Sequence, residues 1–434
     1  MNKIESFAIT NLFGYANYTI RFTKNSSTTI ISGPNGCGKT HVLRLIRAVT
    51  SLDFKTLSTI PFEGITIRLR SRKIINIALD SHTEDGTIFR ISGNDGRGTE
   101  YKDLHYTYSI DLPEEREVPP YISQLPDGTW VDLRDGRVIP PSILRRRYGI
   151  KSEDTPKFSQ EYSWLNNFFS GASAIFIDTQ RLDREPIVRS HDADPYRRRE
   201  AVVTRISRYI EQVRAQITDA RRASLSASQI ADQSFASRVL ESARTTVKES
   251  DIRSRYQKIS KQHAELHSNG LSEQSFGVQI PTRSFNPTER RILNVFLDDL
   301  EKKLKPLLPM NEKIKALRRI IDDKFIGKRL VVDQKGFVRF RSTTTREPIK
   351  VSLLSSGEQH LLAMFTMLLF SAEKGSLVLI DEPEISMHAA WKHAYLDDIG
   401  QVAEINDLQI VLATHSTAII NGQWDLVQEI GVND

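Results

Sequence analysis

Eight residues, Gly33-Pro34-Asn35-Gly36-Cys37-Gly38-Lys39-Thr40, lie between the strand-like "TTIIS" and the helix-like "HVLRLIRAV". The spacing G-x-x-x-x-G-K-T in that setting is a phosphate loop. Its glycines let backbone N–H groups fold round phosphate oxygens without Cβ clashes. Lys39 would reach the β- and γ-phosphates of a nucleotide, and the Thr40 hydroxyl would ligate Mg²⁺. A second stretch, "SLVLIDEPE", carries Asp381 to the end of an apolar strand, the edge at which α/β sheets bind ligands. Asp381 could hold Mg²⁺ through water. Glu382, which has no metal duty, could polarise an attacking water as general base. "ATHS" ends the next strand, and His415 there could meet the γ-phosphate, or only pack or cap. Gln180, in "FIDTQRL", also follows a strand; it could complete the Mg²⁺ and water site or be a surface glutamine.

A further stretch, "VSLLSSGEQHLLAMFTMLLF", opens an apolar helix with the polar turn Ser355-Ser356-Gly357-Glu358. A helix start offers unpaired N–H groups and the positive end of a dipole, so it can receive an anion. The same residues fit a capping box, with Ser355 capping the helix and Glu358 reaching back. On the residues alone both uses stay open.

The elements that must position these groups are legible as alternations of period. Residues 1 to 32 alternate as strands in "KIESFAITNLF", "YTIRF" and "TTIIS", and Val42, Leu45, Ile46 and Val49 have helical spacing. From about 60 to 140 the texture is antiparallel β, with Asp-Gly turns at 85–86, 95–96, 127–128 and 135–136. "SAIFID" predicts a strand ending at Asp178. Val203, Ile206, Ile210, Val213 and Ile217 form a heptad-like seam, as do Ile252, Tyr256, Ile259, His263 and Leu266. Neither seam runs much beyond two heptads, which predicts a locally packed helical insertion and no long coiled-coil arm. "LHSNGLSEQS" reads as a loop. Asn286-Pro287-Thr288 starts a helix with Ile292, Phe296, Leu300 and Leu304 on one face, and "RLVVDQKGFVRF" reads as a hairpin. The tail alternates helix and strand, which implies a parallel sheet. The predicted class is α/β, a mixed sheet with an antiparallel lobe and a helical insertion.

A chain of 434 residues is long enough for two or three domains, and 39% hydrophobic with 26% charged residues is an ordinary globular composition. The longest apolar run, "LLAMFTMLLF", is too short to span a bilayer, so no membrane role is expected. The N-terminus lacks the apolar core of a secretion signal. The single cysteine, Cys37, permits no intrachain disulfide and points to a reducing cytoplasm. The net charge of +6 permits nucleic-acid contact without demanding it. Arg145-Arg146-Arg147, Arg197-Arg198-Arg199 and Arg221-Arg222 are solvated helix faces by default; a DNA or RNA phosphate track and a dock for an acidic protein are the alternatives.

Taken in chain order, the phosphate loop, the glutamine after a strand, "LSSGEQ", "DEPE" and the histidine resemble the heads of ABC-type ATPases. Within that superfamily they resemble the SMC-like and OLD-like branch. "IDEPEISMH" with "FIDTQRL" is similar to ATPases of bacterial anti-phage defence operons, the PtuA proteins of Septu and retron systems and the AriA ATPase of PARIS systems. Residues about 1–60, 170–185 and 325–425 carry the match, and the helical middle carries none. The resemblance implies a head split between 1–184 and 323–434, with 185–322 as a helical insertion. It implies ATP and Mg²⁺ as ligands, and a homodimer or higher homo-oligomer in which the signature turn caps the γ-phosphate held by a partner. Ser355 would donate to that phosphate, Gly357 would allow close approach, and Ser356 and Glu358 complete the turn. The implied function is a sensor whose ATP cycle controls a separate effector, a nuclease or toxin encoded nearby. An SMC-like repair ATPase that clamps duplex DNA is the alternative. Cys37 stands where relatives carry a small serine or alanine, and its thiol would be oxidisable if exposed. Gln359 replaces a frequent basic residue. Phe13 and Tyr15 are expected either to stack on adenine or to join the sheet core. Nuclease-bearing OLD-like relatives carry an acidic domain after the head, whereas 19 residues follow His415 here, so an ATPase without its own nuclease is expected.

Overall fold

The computed structural model describes residues 3–24, 26–83, 86–108, 122–124, 130–132, 163–169, 174–178, 205–242, 247–272, 277, 279–333 and 335–431. Gln180, Arg145–Arg147, Arg197–Arg199 and the Asp-Gly pairs at 127–128 and 135–136 lie outside the described residues. The chain divides into two compact units, Met1–Val202 with Glu373–Asp434, and Val203–Ala372.

The first unit holds two larger sheets. Strands β1 (Ile4–Leu12), β2 (Ala16–Arg21), β4 (Gly64–Leu69), β5 (Ile74–Thr83), β6 (Gly86–Asn94) and β7 (Leu104–Tyr108) form an antiparallel sheet in the order β2-β1-β4-β5-β6-β7. β2 shows why one face is buried: Ala16, Tyr18 and Ile20 point in while Asn17, Thr19 and Arg21 point out. Strands β3 (Thr28–Ser32), β10 (Ala174–Asp178), β14 (Leu377–Asp381), β15 (Gln409–Ala413) and β16 (Val427–Glu429) form a parallel sheet in the order β10-β14-β15-β3-β16. Here β14 and β15 are buried along nearly their whole length, as strands covered on both faces must be. A two-stranded ribbon, β8 (Ile122–Gln124) with β9 (Trp130–Asp132), completes the unit's strands among the described residues.

Helix α1 (Lys39–Ser51) joins the sheets. Val42, Leu43, Leu45, Ile46, Ala48 and Val49 are buried in one hydrophobic cluster with Phe7, Ile9 and Ile67 of the antiparallel sheet and Leu379 and Val411 of the parallel one. Arg44, Arg47 and Ser51 fall on the opposite, exposed side, the polar stripe of an amphipathic helix. The short α2 (Phe54–Thr59), capped by Asp53, and α3 (Ser163–Phe168) add Phe54, Leu57, Leu165 and Phe168 to the same cluster. The β4–β5 hairpin contains no Asp-Gly pair: Arg72 takes the left-handed φ of +67° and Leu69 N–H donates to Lys73 O at 2.9 Å.

In the second unit, α4 (Arg205–Glu241) and α5 (Glu249–Ser268) precede α6 (Pro287–Leu304) and α7 (Leu308–Lys324). A three-stranded sheet β11 (Lys328–Val332), β12 (Val338–Ser342) and β13 (Pro348–Ile349) follows, and then α8 (Ser356–Thr366). Two expectations need correction. α4 runs 37 residues, far past the seam that ends at Ile217, and its distal part exposes Leu225, Ile230 and Leu240. On α6 the buried positions are Val295, Leu297 and Leu304, while Ile292 of the expected face is 39% exposed. α6 packs against both α4 and α5, so it buries two sides and no single stripe marks its core face. The helix start at Asn286-Pro287 and the β11–β12 hairpin match the sequence reading, and Asn286 with Glu289 adds a capping box. The His267 and Ser268 part of "LHSNGLSEQS" is helical, and Gly270 turns the chain at φ +73°.

Candidate functional site

The phosphate loop leaves β3 and enters α1. Gly36 and Gly38 have φ of +86° and +92°, values that L side chains rarely adopt, and Gly38 caps α1 in the left-handed region. Gly33 is constrained by space: a Cβ there would lie 2.1 Å from Ile430 O, just beyond β16. Pro34, Asn35 and Gly36 are exposed, while Lys39 is 5% exposed and its ammonium donates to Gly33 O at 2.8 Å and Pro34 O at 3.0 Å. Lys39 thus spans the loop from inside, and Thr40 follows at half-burial on the first turn of α1. Tyr18 OH donates to Cys37 O at 2.8 Å and pins the loop to β2. His41, beside it, is held below its usual pKa by burial and by the Arg44 charge.

Register brings the remaining groups to one edge. Across the parallel sheet Asp178 pairs with Asp381, Asp381 with Ala413, and Ala413 with Ile31. Glu382, Thr414-His415 and Ser32-Gly33 follow the last three of these residues, so those turns emerge at the carboxyl ends of adjacent strands. Glu382 sits at φ +45°, ψ +58°, a left-handed backbone unusual for an acidic residue, and its N–H donates to Ala413 O at 2.9 Å. His415 Nδ1 lies 3.9 Å from Glu382 Oε1.

One participant was not singled out by the sequence. Glu384 is 6% exposed, and its Oε1 accepts from the Thr414 hydroxyl at 2.6 Å and from His415 N–H at 3.2 Å, with His415 Nδ1 at 3.3 Å. The only signal was an acid in the otherwise apolar run after Glu382, because its partners lie on another strand. In the second unit Ser355 is the N-cap of α8 and the full capping box is present: Ser355 Oγ accepts from Glu358 N–H at 3.3 Å and Glu358 Oε2 from Ser355 N–H at 2.8 Å. Lys328 Nζ contacts both Glu358 oxygens at 2.6 and 2.7 Å. Burial pushes the Glu358 carboxyl up, but the Lys328 ammonium and the Ser355 N–H outweigh it and hold it below its usual value.

A family profile described as "AAA domain, putative AbiEii toxin, Type IV TA system" matches residues 28–421. The chain belongs to this family of P-loop ATPases. The matched span runs from β3 past His415, so the phosphate loop, the Asp381 strand and the histidine turn all fall inside it. The ATPase is also similar to the Smc head domain of Pyrococcus furiosus with an extended coiled coil bound to the C-terminal domain of ScpA, at 13% identity over 100% of this chain and 94% of that one, with a TM-score of 0.37. The Smc head domain of Thermotoga maritima matches at 11% identity over 100% and 96%, with a TM-score of 0.33. No curated protein matches the ATPase sequence.

Several smaller expectations resolve in the ATPase structure. The Cys37 thiol is buried at 4% exposure, so the condition for its oxidation is not met. Tyr15 is 52% exposed and is not in the sheet core, because it sits on the β1–β2 turn. Phe13, on the same turn, packs at the margin of the core with its ring edge-on to His41 at 4.9 Å. Arg222 is exposed and pairs with Asp219, and Arg221 donates to Gly270 O, so this pair is engaged within its own unit. No helix among the described residues is long and apolar enough to cross a membrane.

Proposed function

We propose that this ATPase is Mg²⁺-dependent and works as a pair of heads closing on ATP, controlling a separate effector in bacterial anti-phage defence. The observation that carries the catalytic part is the register row Ile31, Ala413, Asp381, Asp178, which puts the phosphate loop, Glu382 and His415 on one sheet edge. The donor set suits Mg²⁺. Mg²⁺ is usually held by one or two carboxylates with phosphate oxygens and waters. Thr40 and Asp381 would supply hard oxygens of that kind, and Gln180 is the third donor in this proposal. An ion held by these residues would supply charge neutralisation for the phosphate oxygens. Lys39 and the loop N–H groups hold the phosphates, Glu382 accepts a proton from the attacking water, and His415 contacts the γ-phosphate.

The signature turn acts on a partner's nucleotide in this reading. Ser355 and the N-terminus of α8 present a hydroxyl, N–H groups and a positive dipole end to an anion, and Glu358 fixes the turn without using that face. Regulation of a second gene product rests on the likeness of "IDEPEISMH" to defence ATPases. Composite sites are tested by mixing Lys39→Ala with Gly357→Asp, each inactive alone. A mixed dimer carries both lesions in one site and leaves the other whole, so part of the wild-type ATPase rate should return. No recovery despite demonstrated subunit exchange would overturn the two-chain site.

A further inference from the structure

We infer that Glu384 is the positioning residue for His415, holding the histidine turn in register with the catalytic turn of Glu382. The inference rests on the proposed contact between His415 and the γ-phosphate. Glu384 lies in the short 3-10 turn Pro383–Ser386, directly after Glu382. Its Oε1 takes the Thr414 hydroxyl, the His415 N–H and the neighbourhood of the His415 ring, all within 3.3 Å. Its Oε2 is buried with no hydrogen-bond partner among the described residues. The hydrogen bonding of this acid is therefore spent on the 414–415 turn alone.

Burying a carboxylate is unfavourable unless it is well partnered, so a turn that needed only shape would be better filled by an apolar side chain. What the acid adds is direction. Thr414 is fully buried and its N–H donates to Ile31 O at 3.1 Å, at the foot of the phosphate loop, while Ser416 N–H donates to Thr414 Oγ1 at 3.0 Å. Glu384 therefore ties three strand ends together: β3 through Thr414, β15 through Thr414 and His415, and β14 through its own backbone. With Nδ1 turned to Glu384, the ring leaves Nε2 as the nitrogen for an external ligand, and the His415 side chain is 49% exposed. A carboxylate that sets the orientation of a histidine in this way is worth roughly 10- to 100-fold at metal centres. A misplacement of about 1 Å at a catalytic group has a similar effect on rate.

The test is a double-mutant cycle on ATP hydrolysis and ATP binding by the full chain. His415→Ala and Glu384→Ala should each lower kcat by about 10- to 100-fold and leave the ATP Kd within about threefold, because the phosphate loop is untouched. The double variant should be no slower than His415→Ala alone. Glu384→Gln, which keeps an acceptor for Thr414 and His415 N–H, should restore part of kcat. Should Glu384→Ala fail to fold, Glu384→Gln alone and combined with His415→Ala completes the same cycle. Multiplicative losses in the double variant would overturn the inference, since they mean Glu384 acts independently of His415. Wild-type kcat in Glu384→Ala would overturn it too. Wild-type kcat in His415→Ala is a separate outcome: it removes the γ-phosphate contact itself, and the inference with it.

Discussion

Gly33 and Gly36 are both glycines of one loop, yet the structure gives them different reasons. At Gly33 a methyl group would lie 2.1 Å from Ile430 O, so Gly33→Ala must push β3 from the segment that follows β16. At Gly36 a Cβ meets nothing within 4 Å, and only the φ of +86° resists substitution. Gly33→Ala is therefore expected to destabilise the fold by about 2 kcal/mol as an overpacking change, with loss of nucleotide binding. Gly36→Ala should keep the fold and weaken binding modestly, through about 1 kcal/mol of backbone strain. Thermal melts with and without nucleotide separate the two. The residue types of the loop were legible because backbone geometry dictates them. Glu384 was not, because nothing in "DEPEISM" reveals that Thr414 and His415 end the neighbouring strand.

The turn before α8 depends on an element that lies well upstream of it. Lys328, on β11, holds a carboxylate that is itself 6% exposed. Removing one member of a fully buried ion pair costs about 3–5 kcal/mol. Lys328 is 23% exposed, so Lys328→Met should cost less, about 2 kcal/mol. Glu358 titrates below its usual 4.5. A depressed folded value means that its contribution is whole above 4.5 and is lost as pH falls through the lower folded value. The unfolding midpoint of the wild type should therefore fall on acidification below pH 4.5, and Glu358→Gln should flatten that part of the profile; equal slopes would remove this pair from the acid response. Ser355→Ala should cost about 1 kcal/mol as a lost cap. The capping box was readable from Ser355 and Glu358 three residues apart. Lys328 was not, because only the β11–β12 hairpin brings it there. α4 and α6 were misread for a related reason: periodicity reports how many sides of a helix are covered, and α6 is covered on two.

For the whole molecule, strand type and the helix–strand alternation were legible, since a short apolar strand such as "SLVLID" needs cover on both faces. The order β10-β14-β15-β3-β16 was not, because it depends on crossovers that leave no local mark, and β16 is too short to carry a pattern. Purified alone, the ATPase is expected to hydrolyse ATP but leave DNA and RNA intact with Mg²⁺ or Mn²⁺, with Lys39→Ala as the control for contaminants. Robust cleavage by the wild type would refute the separate effector. The most direct test is Glu382→Gln, assayed on one preparation for ATP binding, hydrolysis and ATP-dependent dimerisation. General-base catalysis is typically worth about 10²–10⁴-fold, so hydrolysis should drop at least tenfold while binding persists and the dimer accumulates. Hydrolysis at the wild-type rate by that variant would contradict the assignment of Glu382 and the site built around it.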